Sequence, residues 1–292
     1  MKNMFYHCNY LRSLDVSNFD TKNVKDMSYM FFDNYFVPEL KVDNFNTEKV
    51  ITMSYMFHNC FYLEYLNVSN FNTKNTRDMS YMFSSCYHLK NLTLSNFDTS
   101  KVTNMDHMFD TCGSLSLLNL SNFNTTLVIT MNFMFAKCSE LLNLDISSFN
   151  TKNVIGMASM FHSCSSLNSL NVSNFNTENV EDMSYMFYNC FSIKELNVSN
   201  LKTNKVKTLS NIFARCKLLS YIDISNFITD QVTDMSSMFE KCENLIILET
   251  EYLNMDNVLF TKNMFADCHN LNYKILIKLQ MILLICFKIV IH

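Results

Sequence analysis

The string DMSYMFYNC at Asp182–Cys190 is a near copy of DMSYMF at Asp26–Phe31, TMSYMFHNC at Thr52–Cys60 and DMSYMFSSC at Asp78–Cys86. These copies share one register of 26 residues, and other columns keep it too. Phe19, Phe45, Phe71, Phe97, Phe123, Phe149, Phe175 and Phe227 form one column, with Leu201 and Leu253 at the remaining steps. A second Phe column runs from Phe5 to Phe265 without a gap, and a cysteine column from Cys60 to Cys268, with Cys8 in phase and Asn34 in the one missing place. A period that never slips is the signature of a solenoid, in which each repeat stacks on its neighbours and equivalent side chains form ladders.

One cycle shows what each column does. In LEYLNVSNF, Leu63, Leu66 and Val68 fall on one side of an extended segment, the last two at the strand period of 2. Met79, Met82, Phe83 and Cys86 then fall at i, i+3, i+4 and i+7, which predicts a short helix with an inward apolar stripe. The residue before the first Met runs Asp26, Thr52, Asp78, Asn104, Thr130, Gly156, Asp182, Thr208 and Asp234, all types that cap helix N-termini. The bend between uses Asn (Asn18, Asn44, Asn70, Asn96, Asn122) and Thr (Thr21, Thr47, Thr73, Thr99, Thr125), whose side chains can bond backbone in their own or the next rung. That accounts for a chain with only 2 Gly and 1 Pro in 292 residues. The expected fold is α/β: a single leucine-rich-repeat solenoid of about ten 26-residue rungs, with parallel strands on one concave face and short helical turns on the other. At sheet spacing it would be about 50 Å long. Residues 1–273 form the array, and 274–292 an apolar tail read as a cap, a stray segment or, as a minor alternative, a membrane anchor.

The columns MFxxCxxLxxLxVSNFxTxxVxxM resemble the repeat of BspA-type leucine-rich-repeat surface proteins, in the branch found in mycoplasma-type lipoproteins. The resemblance covers the array and implies a non-catalytic protein, at the cell surface or secreted, engaged in adhesion and partner binding. No secretory signal or lipoprotein cysteine is visible at the start of this chain.

Candidate chemistry is sparse. The net charge of −4, with acids and bases interspersed, offers no basic stripe for nucleic acid. The cysteines repeat along an axis and contain no C-x-x-C, so buried free thiols are expected, with inter-rung disulfides or a metal as lesser alternatives. His58 and His162, two residues before a cysteine, sit at a variable position that elsewhere holds residues such as Ser84 and Asp110, and are expected to be solvated. With two glycines, no nucleotide-binding or nucleophile-elbow motif exists; no cofactor and no catalytic residue are assigned. Tyr29, Tyr55, Tyr81 and Tyr185 are expected at a half-exposed edge. The candidate partner-binding column is the outward middle residue of each Leu-x-Val triplet: Asp15, Lys41, Asn67, Thr93, Asn119, Asp145, Asn171, Asn197, Asp223 and Glu249. Its expected partner is a protein or a glycan; the rival is a passive or decaying array without a specific ligand. Asn67, Asn171 and Asn197 also head N-glycosylation triplets, which the repeat consensus itself generates. Neither end carries an obvious polar capping rung, which predicts end-to-end self-association.

Overall fold

A computed structural model describes residues 1–250 and 253–272. The apolar tail, 274–292, lies outside them. Successive 26-residue rungs stack in register, and their strands pair in parallel. These strands are short: β1 (Glu39–Leu40) pairs with β2 (Tyr65–Leu66), β3 (Leu117–Asn119) with β4 (Asn143–Asp145), and β5 (Tyr221–Asp223) with β6 (Ile247–Glu249). Register partners differ by one period, as in Leu118↔Leu144 and Asn119↔Asp145. Along each strand the residues alternate exposed and buried, as the period of 2 requires.

The opposite face is not helical. Among the described residues there is no helix. Met53, Met56, Phe57 and Cys60 do point inward, all with no exposed surface, but the backbone that carries them is a chain of tight turns. Met56 N–H donates to the Met53 carbonyl, His58 to Tyr55 and Cys60 to Phe57, each within the rung. The residues between donate forward to the next rung instead: Met53 to Asp78, Tyr55 to Ser80, Phe57 to Met82 and Asn59 to Ser84, at 2.9–3.0 Å. Tyr55 and Asn59 take φ of 58° and 57°, the left-handed value at the third residue of a tight turn, and the same two places recur in every rung. An apolar stripe at i, i+3, i+4 and i+7 thus serves a run of turns as well as a helix. The turns leave half of their N–H groups free to bind the neighbouring rung, which a helix would consume internally.

The longest continuous backbone ladder therefore lies beside these turns and not among the strands. Isolated parallel bridges run from Asp26 through Thr52, Asp78 and each later equivalent to Phe260. The residues expected to cap helices do the same chemistry on a turn. Asp26, Asp78 and Asn104 each accept, through the side chain, the N–H two residues on, at 2.8–3.0 Å. Gly156 cannot, and Asn132 of the preceding rung takes over, its Oδ1 accepting from Ala158 N–H at 2.9 Å. A Cβ at 156 would lie 2.7 Å from the Asn132 side chain, so the missing side chain is what admits the substitute.

Side chains also tie rung to rung. Each threonine of the bend is buried and bridges to the residue 25 positions on. Thr125 Oγ1 donates to the Asn150 carbonyl at 2.9 Å and accepts from Asn150 N–H at 2.8 Å, and the same pair of bonds repeats at Thr21, Thr99, Thr151 and Thr203. The asparagines reach back instead: Asn122 Nδ2 donates to Leu94 and Phe97 carbonyls at 3.0 and 2.7 Å. In the core the Phe5–Phe265 column is a stack of nearly parallel rings, with centroids 5.5–5.8 Å apart from one rung to the next.

All described cysteines are free thiols, and nine of the ten are buried. Each buried thiol donates to a phenylalanine carbonyl 29 residues back, as Cys86 Sγ does to Phe57 at 3.1 Å. Asn34, at the vacant cysteine place, reaches the equivalent carbonyl of Phe5 with its Nδ2 at 2.8 Å. The column is thus a buried weak-donor position. Burial pushes the thiols up, Cys60 and Cys190 to about 12 and Cys268 to about 11.

Two measurements test this account. Thr125→Val keeps shape but removes the partner of the part-buried Asn150 N–H and C=O, and is expected to cost about 1–2 kcal/mol in denaturant unfolding; Thr125→Ser should restore most of it. In alkali, an unfolded thiol ionises near pH 8.5 while the folded one stays protonated, so the unfolded chain binds fewer protons. The stability that thiol burial contributes is complete below about pH 8.5 and falls as pH rises toward the folded values, by about 1.4 kcal/mol per pH unit for each thiol. With nine buried thiols acting together, the urea midpoint in reductant should drop steeply between about pH 8 and 10. A flat profile would contradict the buried column.

Candidate partner-binding face

Strand residues alternate, so two outward columns flank the buried Leu of each rung. The first is the column singled out in the sequence. Its members are exposed, apart from Asp223, which is half-buried. Seven of them are nevertheless employed by the scaffold. Asp15, Asn67, Asn119, Asp145, Asn171, Asn197 and Asp223 each accept, through Oδ1, the N–H of the serine two residues later, at 2.8–3.1 Å. This local turn ends the strand and explains why the column is rich in Asn and Asp. The serine bonds also hold the Asp15 and Asp145 carboxyls below their usual range. Lys41, Thr93 and Glu249 make no such bond, and only there is the side chain wholly free of the turn.

The second column lies two residues earlier on the same face: Ser13, Glu39, Tyr65, Asn91, Leu117, Asn143, Ser169, Glu195, Tyr221 and Ile247. All ten are exposed, and four are large and apolar, Tyr65 and Leu117 at 67% exposure and Tyr221 and Ile247 at 46%. Among the described residues none of these ten side chains takes part in a hydrogen bond, ion pair or ring contact. Elsewhere on the surface the repeat ties its exposed side chains together, as in Lys74–Glu48 and Lys207–Glu181 across adjacent rungs or Lys49 Nζ to Asn23 at 2.8 Å. The signal for this column was present in the sequence as the one strand position without a consensus. A search for recurring residues passes over it for that reason.

Shallow depressions open on this face. One of about 550 Å³ is lined by Glu195, Asn197, Tyr221 and Asp223, and another of about 530 Å³ by Glu39, Lys41, Glu64, Tyr65, Asn67 and Thr93.

The other sequence candidates are structural. His58 and His162 are half-buried and not solvated as expected, with Nδ1 enclosed and unpartnered. Burial lowers the affinity of both rings for a proton. They sit there because the turn chain brings this position against its stacked equivalents: His58 lies 5.0 Å from the Phe32 ring, and His162 lies 4.9 Å from Tyr188. Tyr29, Tyr55 and Tyr81 are half-buried and continue through His107 to Phe133 as one stack, with ring centroids 4.2–4.5 Å apart. Tyr185 stands apart from that stack and is 38% exposed.

The solved structures that the chain resembles include a leucine-rich cell surface protein of Faecalibacterium prausnitzii (19% identity, TM-score 0.43, 87% of this chain and 76% of the other). A leucine-rich-repeat protein of Bacteroides ovatus is 18% identical, with TM-score 0.35 over 80% and 69% of the two chains. One from Leptospira interrogans is 13% identical, with TM-score 0.31 over 87% and 72%. No curated protein matches the chain. Residues 1–117, 104–217 and 191–278 each match the family described as Mycoplasma protein of unknown function, DUF285, and with nearly its whole length accounted for in this way the chain belongs to that family.

Proposed function

We propose that the protein is a non-catalytic repeat scaffold that binds a protein or glycan partner through its strand face, in the adhesion-type setting that the BspA resemblance implies. The observation that supports this is the second outward column. Ten consecutive rungs present a side chain there that the fold does not use, and large apolar residues are left in water among them. Solenoids bind partners along such extended faces, and Tyr65, Leu117, Tyr221 and Ile247 set among polar residues offer a partner apolar contact area. The first outward column supplies the polar margin, mainly through Lys41, Thr93 and Glu249. Leu117→Lys and Asn143→Lys change side chains on which no internal bond depends, so the fold should be untouched. For a protein or glycan captured from a defined array, the pair should weaken binding about tenfold or more. Ile155→Lys, on a different exposed face, should leave it unchanged. Equal capture by all three proteins rejects the strand face.

Self-association belongs to the same proposal and has its own support. In the rung at 261–272 the N–H groups of Thr261, Asn263, Phe265 and Asp267 stand where earlier rungs donate forward, and they donate to nothing among the described residues. At the first rung the carbonyls of Lys2, Met4 and Tyr6 stand where later rungs accept, and accept nothing. A second copy stacked head to tail would pair the two sets and extend the Phe5–Phe265 stack. Sedimentation velocity should show concentration-dependent oligomers, abolished by Phe265→Asp; a strict monomer at high concentration would count against the contact.

A further inference from the structure

Tyrosine and glutamate recur together in the unengaged column. Glu39 and Tyr65 are register partners on β1 and β2, and Glu195 and Tyr221 are bridge partners in the same column. Side chains directly opposite on one face lie about 5 Å apart. Each pair stands in one of the two depressions described above. Further carboxylates join them: Glu64 and Asp43 at the first, and Asp223 at the second, where Oδ1 serves the Ser225 turn and the other oxygen makes no bond among the described residues. Elsewhere among the described residues of this solenoid some glutamates are paired and others, such as Glu140 and Glu178, are not. Glu48, Glu181 and Glu243 each pair with a lysine of the neighbouring rung at 2.5–2.9 Å. Among the described residues Glu39, Glu64 and Glu195 form no ion pair, although Lys41 shares the first depression and Arg12 lines the one beside it with Glu39, offsetting part of its charge.

We infer that these are two equivalent subsites for cationic side chains, each offering a tyrosine ring flanked by unpaired carboxylates, and that together they take an extended basic segment of a protein partner. This rests on the strand-face reading above and names the class of ligand for it. An exposed aromatic ring beside carboxylates attracts a guanidinium or ammonium both by charge and by the ring's quadrupole, and Arg can donate a planar pair of N–H bonds to a carboxylate while stacking on Tyr. The subsites are six rungs apart, about 29 Å at sheet spacing. An extended peptide covers that with about nine residues, so one segment with arginines at that interval engages both sites and gains avidity.

The probe is a Gly–Ser peptide carrying two arginines about nine positions apart, titrated at low salt into the full chain, beside a peptide whose arginines are about three positions apart. The widely spaced peptide should bind about tenfold more tightly or better, and the advantage should vanish in E39Q and in E195Q singly. Both E39Q/E195Q and Y65A/Y221A should lose most of the binding, with unchanged melting curves, while E48Q/E181Q should match the native protein. No measurable peptide binding, or affinity unaltered in E39Q/E195Q, overturns the inference. So does a neutral oligosaccharide whose binding needs both tyrosines and neither glutamate, an outcome that leaves the strand face standing. Failure of that broader reading is read separately, from Leu117→Lys and Asn143→Lys with an array-derived partner.

Discussion

What the rest of the molecule depends on is the hydrogen bond from one rung to the next at a sequence distance of 25 or 26 residues. A solenoid has no closed core, so each rung is stable only if its backbone groups and its apolar face are satisfied by the rungs above and below. Here the backbone does this through alternate N–H groups of the turn chain, and the side chains through the threonine and asparagine columns. The threonine hydroxyl both donates to and accepts from the same peptide unit of the next rung. That double bond fixes register: a slip by one residue would break every member of the column at once. The invariance of the 26-residue period follows, because an insertion in one rung would misplace the donors of its neighbours.

This constraint also explains the left-handed residues. Non-glycine residues in that region cost roughly 1–2 kcal/mol each, and every rung contains two, filled by Tyr, His, Phe, Asn, Asp, Ser, Thr, Lys or Arg. Positive φ at Tyr55 and Asn59 goes with a backbone whose alternate N–H groups point along the axis, where the Ser80 and Ser84 carbonyls receive those of Tyr55 and Asn59. The strain is repaid by bonds that neither a helix nor an ordinary loop could make. Glycine would relieve the φ, but it would remove the tyrosine column whose rings stack at 4.2–4.5 Å across the same turns. The shortage of glycine thus reflects the use of these positions for stacking and polar contacts.

Much of this was legible in the sequence, because stacking copies a requirement of one rung into the same column of all the others. The Phe, Cys, Thr and Asn columns and the inward strand residues are where the period placed them, and Asn34 could be recognised as standing in for a cysteine. The helix was not legible correctly. The spacing of Met53, Met56, Phe57 and Cys60 fits a 3.6-residue period, and Asp or Thr before it fits a cap. A succession of turns at three-residue spacing has the same inward positions and the same need for a side-chain acceptor at its start. Only the identity of Tyr55 and Asn59 as left-handed residues separates the two, and tyrosine carries no such signal. The structural share of the first outward column was hidden for a related reason. Asn67, Asn119 and Asn171 look like a polar surface, yet their oxygens are held by Ser69, Ser121 and Ser173.

That last point separates scaffold from surface in a repeat protein. A column whose residue type recurs is a column the stack is using, since only a structural demand repeats every 26 residues. Where the type changes freely from rung to rung, as from Glu39 to Tyr65 to Asn91 to Leu117, the stack makes no demand, and any regularity that remains must answer to something outside it. The recurrence of Glu followed by Tyr at rungs six apart, in the one strand column with no internal bonds, is regularity of that kind. It cannot come from in-register packing, which acts between nearest neighbours and reaches no further than about 5 Å. A ligand long enough to touch both places is a physical agent able to couple them.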